Sequence, residues 1–337
     1  MIKKFTFISI LLICQFAQAQ STSPEYRSLS EGFRKFITDG TNLSLDEQIN
    51  AWIKDVESLA PEVYLHIIAG DDQTKLDSER RSLAQKWFPL LFANSAEIQR
   101  QFDLFETQGK PIIDQLAASY PEANLSAVTV MAIPSLNKFN GQVKKIHGHV
   151  YAMFGMDMIA LIGQKPDLRP GALLVNNMPV LMSHEFTHAI HYILSDFGSG
   201  DPSTASFWGP LWDEGLAQVN SQLLNPGSDL TNIFMEKVLA AKCTPENIQA
   251  WAKSYIEDSK GNEQQVETAY GTWFMLSSGL TEHGAYRAGY CLGYNVILSA
   301  LRTYSMKEII KMSRADAYRI GQETLAKFAS PNGGSKP

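Results

Sequence analysis

His184, Glu185 and His188 stand in the run His184-Glu185-Phe186-Thr187-His188, the pattern H-E-x-x-H. On an α-helix, residues four apart share a face. Both imidazoles can then meet one cation while the carboxylate between them reaches a water beside it. Zinc takes nitrogen and oxygen ligands in a nearly tetrahedral shell, and a catalytic site keeps one of its positions open. A third ligand must come from elsewhere, and the best-placed carboxylate is Glu214 in Trp212-Asp213-Glu214-Gly215-Leu216-Ala217. Glu185 would serve as general base, taking a proton from water as it attacks a carbonyl and returning it to the leaving amine. The implied chemistry is hydrolysis.

Two helices must position these groups. The first is expected to begin near 177–179, with Asn177 as cap and Pro179 in the first turn, and to run through Leu194. Residues 196–207 are rich in Gly, Ser, Asp and Pro and read as a loop, after which Pro210 and Leu211 start a second helix that ends before Asn225-Pro226-Gly227. Gly215, beside Glu214, would let this second helix approach the first closely. His191 lies on nearly the same side as the pair, but about 10.5 Å along the axis from His184. It reads as a supporting or packing histidine rather than a ligand. Asp213, Asp196 and Gln218 are candidate hydrogen-bond partners for the ligand imidazoles. A donor for a developing oxyanion is sought in 283–294, with Tyr290 first because glycines flank it, then His283 and Tyr294. His147 and His149 could share one side of a strand, but no acidic or cysteine cluster makes them a second metal site.

Around these elements the chain alternates in character. Residues 20–28 read as a loose start, and the spacing is mainly helical from Leu29 to Ala132, with Phe33, Phe36 and Ile37 on one face and Leu45, Ile49, Trp52, Ile53 and Val56 on another. Helical pieces are expected towards Ala69 and over 79–92, 96–108 and 111–119. Past Tyr120-Pro121 come candidate strands at 126–133, at 150–154 and 158–162 as a hairpin through Gly155, and at 172–175. A strand near the motif helix matters, because a peptide can add its backbone to an exposed sheet edge. From 230 onward the pattern is helical again, over 230–241, 245–255, 266–276, 290–304 and 306–329. The expected division is a leader at 1–19, a helical region at 20–120, a catalytic region at 121–329 and a frayed tail at 330–337.

The bulk numbers narrow the function classes. At 337 residues, 45% hydrophobic and 19% charged, the chain can bury a sizeable core. A formal charge of −6 with no long basic run gives no encouragement to a nucleic-acid surface. Lys3 and Lys4, an apolar run over 5–16 and Ala17-Gln18-Ala19 read as a secretory signal peptide cleaved after Ala19, leaving no stable membrane span. Lipoprotein processing at Cys14 is less favoured, since bulky Ile13 precedes the cysteine. Cys243 and Cys291 would remain and could pair in an oxidising compartment. No G-x-S-x-G, phosphate-loop or dinucleotide-loop pattern is present.

Through the H-E-x-x-H run and Trp212–Ala217 the chain resembles the Glu-zincin metallopeptidases. More narrowly it is similar to poorly characterised bacterial predicted zinc-dependent proteases that combine H-E-x-x-H, E-G-x-A and G-Y-x-x-G segments, the last being Gly289-Tyr290-Cys291-Leu292-Gly293 here. The resemblance covers roughly 145–300. It implies an α+β, predominantly helical fold with a zincin-like core: a small mixed sheet, an active-site helix and a C-terminal helical subdomain. It also implies a Zn2+ ion on His184, His188 and Glu214, catalysis by Glu185, an active-site role for Tyr290, and a peptide or protein substrate. Two other functions fit the same residues. One is a noncatalytic secreted peptide-binding protein with a structural or vestigial metal site, which has no need for Glu185. The other is a zinc hydrolase of a nonpeptide amide.

Overall fold

Phe33 and Phe36 are one turn apart on helix α1 (Ser30–Gly40), and burying them needs a partner surface. Helix α2 (Leu45–Asp55) supplies Trp52, and helix α4 (Leu76–Ala93), which follows α3 (Pro61–Ala69), supplies Phe88. The Phe36, Trp52 and Phe88 rings pack with centroids 4.9–5.4 Å apart, forming the aromatic heart of the first third of the chain. Ile53, expected on the same stripe as Trp52, points outward instead. The computed structural model describes residues 23–161, 177–199, 207–261, 263–275 and 283–330. The expected signal peptide at 1–19, the expected strand at 172–175 and the end of the expected tail lie outside the described residues.

Four strands form one mixed sheet in the order β1-β2-β4-β3. They are β1 (Glu25–Ser28), β2 (Val128–Ile133), β3 (Gly141–Ile146) and β4 (His149–Gly155). The parallel pairs β1–β2 and β2–β4 run beside the antiparallel pair β3–β4. Every residue of β2 is buried, as suits a central strand covered on both faces. β3 lies at the edge and exposes Lys144 and Lys145, charges that discourage indiscriminate edge pairing.

Three sequence expectations need correction here. Residues 25–28 are not loose, since Glu25–Ser28 pairs with 129–132 and so crosses the boundary expected near 121. The hairpin does not turn at Gly155. It turns at His147-Gly148, both with positive φ, as a tight two-residue hairpin turn demands. Residues 158–161 are not its second strand, because Met156–Leu161 forms helix α7, and residue 162 lies outside the described residues. Asp157, fully buried, accepts from the backbone N–H groups of Ser135 and Asn137 at 2.6 and 2.7 Å, pinning this turn of helix to the loop after β2. A short apolar run does not distinguish strand from helix by periodicity.

Helix α5 (Ser95–Leu104) continues through a π-helical turn at Phe105–Gly109 into α6 (Lys110–Ser119). Gly109 in that turn faces Met182, so a Cβ there would come within 2.8 Å of the methionine Cγ. The N-terminal helical region thus packs against the motif helix, α8 (Met178–Leu194). The remaining helices are α9 (Trp208–Leu224), α10 (Leu230–Phe234), α11 (Lys237–Lys242), α12 (Pro245–Asp258), α13 (Glu263–Phe274), α14 (Ala288–Ala300), α15 (Met306–Ile309) and α16 (Arg314–Ala329). The break between α15 and α16, where one helix was expected, carries the cap Ser313, whose side chain accepts from Asp316 N. The fold is α+β and predominantly helical. Among the described residues no helix is long and apolar enough to cross a membrane.

Candidate metal centre

Asn177 caps α8, accepting from the backbone of Val180 at 3.2 Å, and Pro179 sits in the first turn. From Val180 to His191 every residue of the helix is buried, so its polar side chains must find partners in the protein. Helix α9 supplies several. Asn220 donates to Thr187 Oγ1 at 2.9 Å, and Asn225 donates to Ser183 Oγ at 3.0 Å. These contacts fix α9 alongside α8 and bring Asp213 and Glu214 over the histidines.

Glycines set the other side of α9. A Cβ on Gly215 would overlap the carbonyl of Gly293 on α14, and one on Gly293 would overlap the carbonyl of Leu211. The expectation that Gly215 lets its helix approach the motif helix is therefore corrected. Gly215 faces α14, and the two glycines form one backbone-to-backbone crossing. Cys291, two residues before Gly293, is joined by a disulfide to Cys243 at the end of α11, with Cα atoms 5.8 Å apart.

At the centre, Nε2 of His184 and Nε2 of His188 lie 3.2 Å apart. Glu214 Oε2 stands 3.2 Å from the first and 3.7 Å from the second. One ligand atom from each of the three residues falls within 4.8 Å of the others, a cluster that can hold a metal ion. Glu214 Oε2 is buried and makes no aligned hydrogen bond, although two imidazoles face it. A cation among the three atoms would satisfy all of them, so the residues fit a metal by donor type and by placement.

Asp213 organises the layer behind. Its Oδ1 lies 3.0 Å from His188 Nδ1 and 2.7 Å from His191 Nδ1, and its Oδ2 accepts from Tyr192 OH at 3.3 Å. His191 is therefore held away from the cluster as a support, while the Asp213 carboxylate faces His188 Nδ1 without an aligned hydrogen bond and leaves Nε2 for the ion. Of the other partners considered, Asp196 instead accepts from Arg314 N, and neither side-chain amide atom of Gln218 has a hydrogen-bond partner.

Burial acts against a charge on His188, but Asp213 overrides it and holds the imidazole well above its usual 6.5. Burial would also raise Asp213, yet the facing histidines drive it far below 3.8. Glu214 is held at about 2, because the imidazoles of His184 and His188 outweigh its burial. Glu185 goes the other way, its carboxyl raised by burial. These directions predict how the metal-free protein responds to pH. The raised histidine stabilises the fold fully below 6.5 and loses that contribution as the pH climbs through its folded value. The depressed aspartate contributes fully above 3.8 and loses its share as the pH falls towards its folded value. The metal-free protein should therefore melt at a higher temperature near pH 5.5 than near pH 9, as differential scanning fluorimetry would show. Equal or rising midpoints across that range would contradict the His188–Asp213 pairing.

Glu185 lies against Gly141, the first residue of β3, where a Cβ would overlap its carboxylate. The Tyr290 ring stacks beside His184 with centroids 6.2 Å apart and planes 10° apart, and burial pushes its hydroxyl well up. His283 and Tyr294, the alternatives to Tyr290, are engaged elsewhere. His283 stacks on Trp273 at 3.8 Å, and Tyr294 donates to Gln222 at 2.6 Å. His147 occupies the β-turn, and His149 Nε2 lies 2.8 Å from Thr129 Oγ1. Sequence reasoning missed Tyr192, although it sits four residues after His188 on the same face. It also missed Gly141, for which no local pattern pointed to Glu185. No protein-family model, curated protein or solved structure matches this chain.

Proposed function

We propose that the protein is a metallopeptidase of the Glu-zincin type, hydrolysing peptide bonds with zinc as its metal. The observation that carries the reading is the convergence of His184, His188 and Glu214 with the Glu185 carboxylate beside the first residue of an edge strand. A zinc ion held by these three residues would polarise a substrate carbonyl and make a water acidic enough to be deprotonated near neutral pH. Glu185 takes that proton on a carboxylate oxygen as the water attacks, then delivers it to the leaving nitrogen. Its buried setting raises its proton affinity, which suits a group that must gain a proton and release it. Substrate backbone would lie along β3, whose outer edge has no strand partner among the described residues, so the carbonyl to be cut passes Glu185. Tyr290 is the proposed donor to the oxyanion, from its place next to His184.

The catalytic region is 121–329, with 20–120 as a helical support that contributes β1 to the sheet and α6 to the packing of α8. Export through the leader at 1–19 accords with the Cys243–Cys291 disulfide, a bond favoured in oxidising compartments. Zinc-loaded protein should cleave members of a diverse peptide library, a chelator should abolish cleavage, and added zinc should restore it. Cleavage indifferent to the chelator, or protein that takes up no stoichiometric metal, would defeat the assignment.

A further inference from the structure

We propose that Arg287 selects the substrate by binding a carboxylate carried within about three to four residues of the bond cut, an inference that rests on the peptidase reading of the metal site. Its guanidinium carbon lies 4.8 Å from the centre of the Tyr290 ring, which in turn lies 6.2 Å from the ring of His184. Two ring-sized steps separate the cation from a metal-binding residue, a span covered by three to four residues of extended chain at about 3.3 Å each.

Among the described residues no carboxylate forms an ion pair with Arg287. Its Nη2 donates to the carbonyl of Phe234 at 2.8 Å, while Nε is buried with no hydrogen-bond partner. A planar guanidinium with uncommitted donors is shaped for a carboxylate. The backbone adds an independent observation. Arg287 has φ 55° and ψ 37°, the left-handed region that residues bearing a Cβ avoid. Such a conformation persists where the surrounding structure over-determines it, commonly at binding sites. Phe274 and Tyr270 of α13 continue the aromatic wall from Tyr290, with centroid separations of 6.2 and 5.5 Å.

The carboxylate has two possible sources, a free chain terminus or an Asp or Glu side chain. The zinc-loaded Glu185→Gln variant is titrated with three dansyl-tagged alanine peptides: a free acid, its C-terminal amide, and the amide with one internal glutamate. One of the carboxylate peptides should bind about 10–100-fold more tightly than the neutral amide, and the one preferred identifies the source. Adding Arg287→Met should erase the preference, whereas Arg287→Lys should keep part of it. Equal binding of all three peptides, or a preference untouched by Arg287→Met, overturns the proposal. Should the methionine variant fail to fold by circular dichroism, the lysine variant and the acid-against-amide comparison in the parent decide. Cleavage of the same peptides by the unmodified enzyme is scored separately. Selective binding with no cleavage would leave the carboxylate site standing and remove the peptidase reading.

Discussion

Glutamine at position 185 should abolish hydrolysis while leaving the metal in place. The substitution keeps the volume that rests on Gly141 and removes only the ability to take up a proton. Glu185 is not among the three converging ligands, so zinc content by elemental analysis should stay near that of the unmodified protein. Loss of a positioned general base costs about 10²–10⁴-fold in rate. His184→Ala should behave differently, losing most of the metal together with activity, because it removes an atom of the cluster itself. The separation of the two effects is the informative result. If both variants cut peptides at the original rate, neither residue has the assigned role.

A single methyl group at Gly215 should be almost as damaging, for a mechanical reason. Helices α9 and α14 cross with backbone against backbone at Gly215 and Gly293, so Gly215→Ala must push a carbonyl aside rather than a flexible side-chain tip. Overpacking at such a point costs about 3 kcal/mol. It also displaces Glu214, the adjacent residue, so zinc affinity should fall together with the unfolding midpoint. Gly321→Ala on α16 is the matched control. A Cβ there meets only ordinary contacts, at 3.7 and 3.9 Å, and the better helix propensity of alanine should stabilise by about 0.5–1 kcal/mol. Urea unfolding of the two variants should give opposite signs. A Gly215→Ala protein as stable as its parent would mean that the crossing is looser than described.

Much of the metal cluster was legible because helical periodicity is local. The spacing of His184 and His188, the cap at Asn177 and the stop at Asn225 depend on residues within a few turns, and all three appear as read. The convergence of Glu214 follows from two such helices and the segment that joins them. What was not legible depends on distant partners. Glu25–Ser28 carries no apolar run, and it becomes a strand because β2 offers a free edge. β3 contains Lys144-Lys145, which lowers its strand propensity in isolation, yet an edge strand tolerates such charges. The partner of Gly215 could not be read from its neighbours, since a close crossing takes two glycines and the second lies far along the chain. Asp213 had competitors in Asp196 and Gln218, and only the docking of α9 on α8 chose among them.

The pairing of β1 with β2 has a temporal consequence. Glu25 and Thr129 are neighbours in the sheet although 104 residues separate them in the chain. During synthesis the first strand emerges long before its partner, and the helices between them must be made before the ladder can close. Closing a loop of that length early in folding is entropically costly, so such a pairing forms late. The sheet that backs the motif helix therefore gains its outer strand near the end of assembly, when most of the helices between β1 and β2 are already in place.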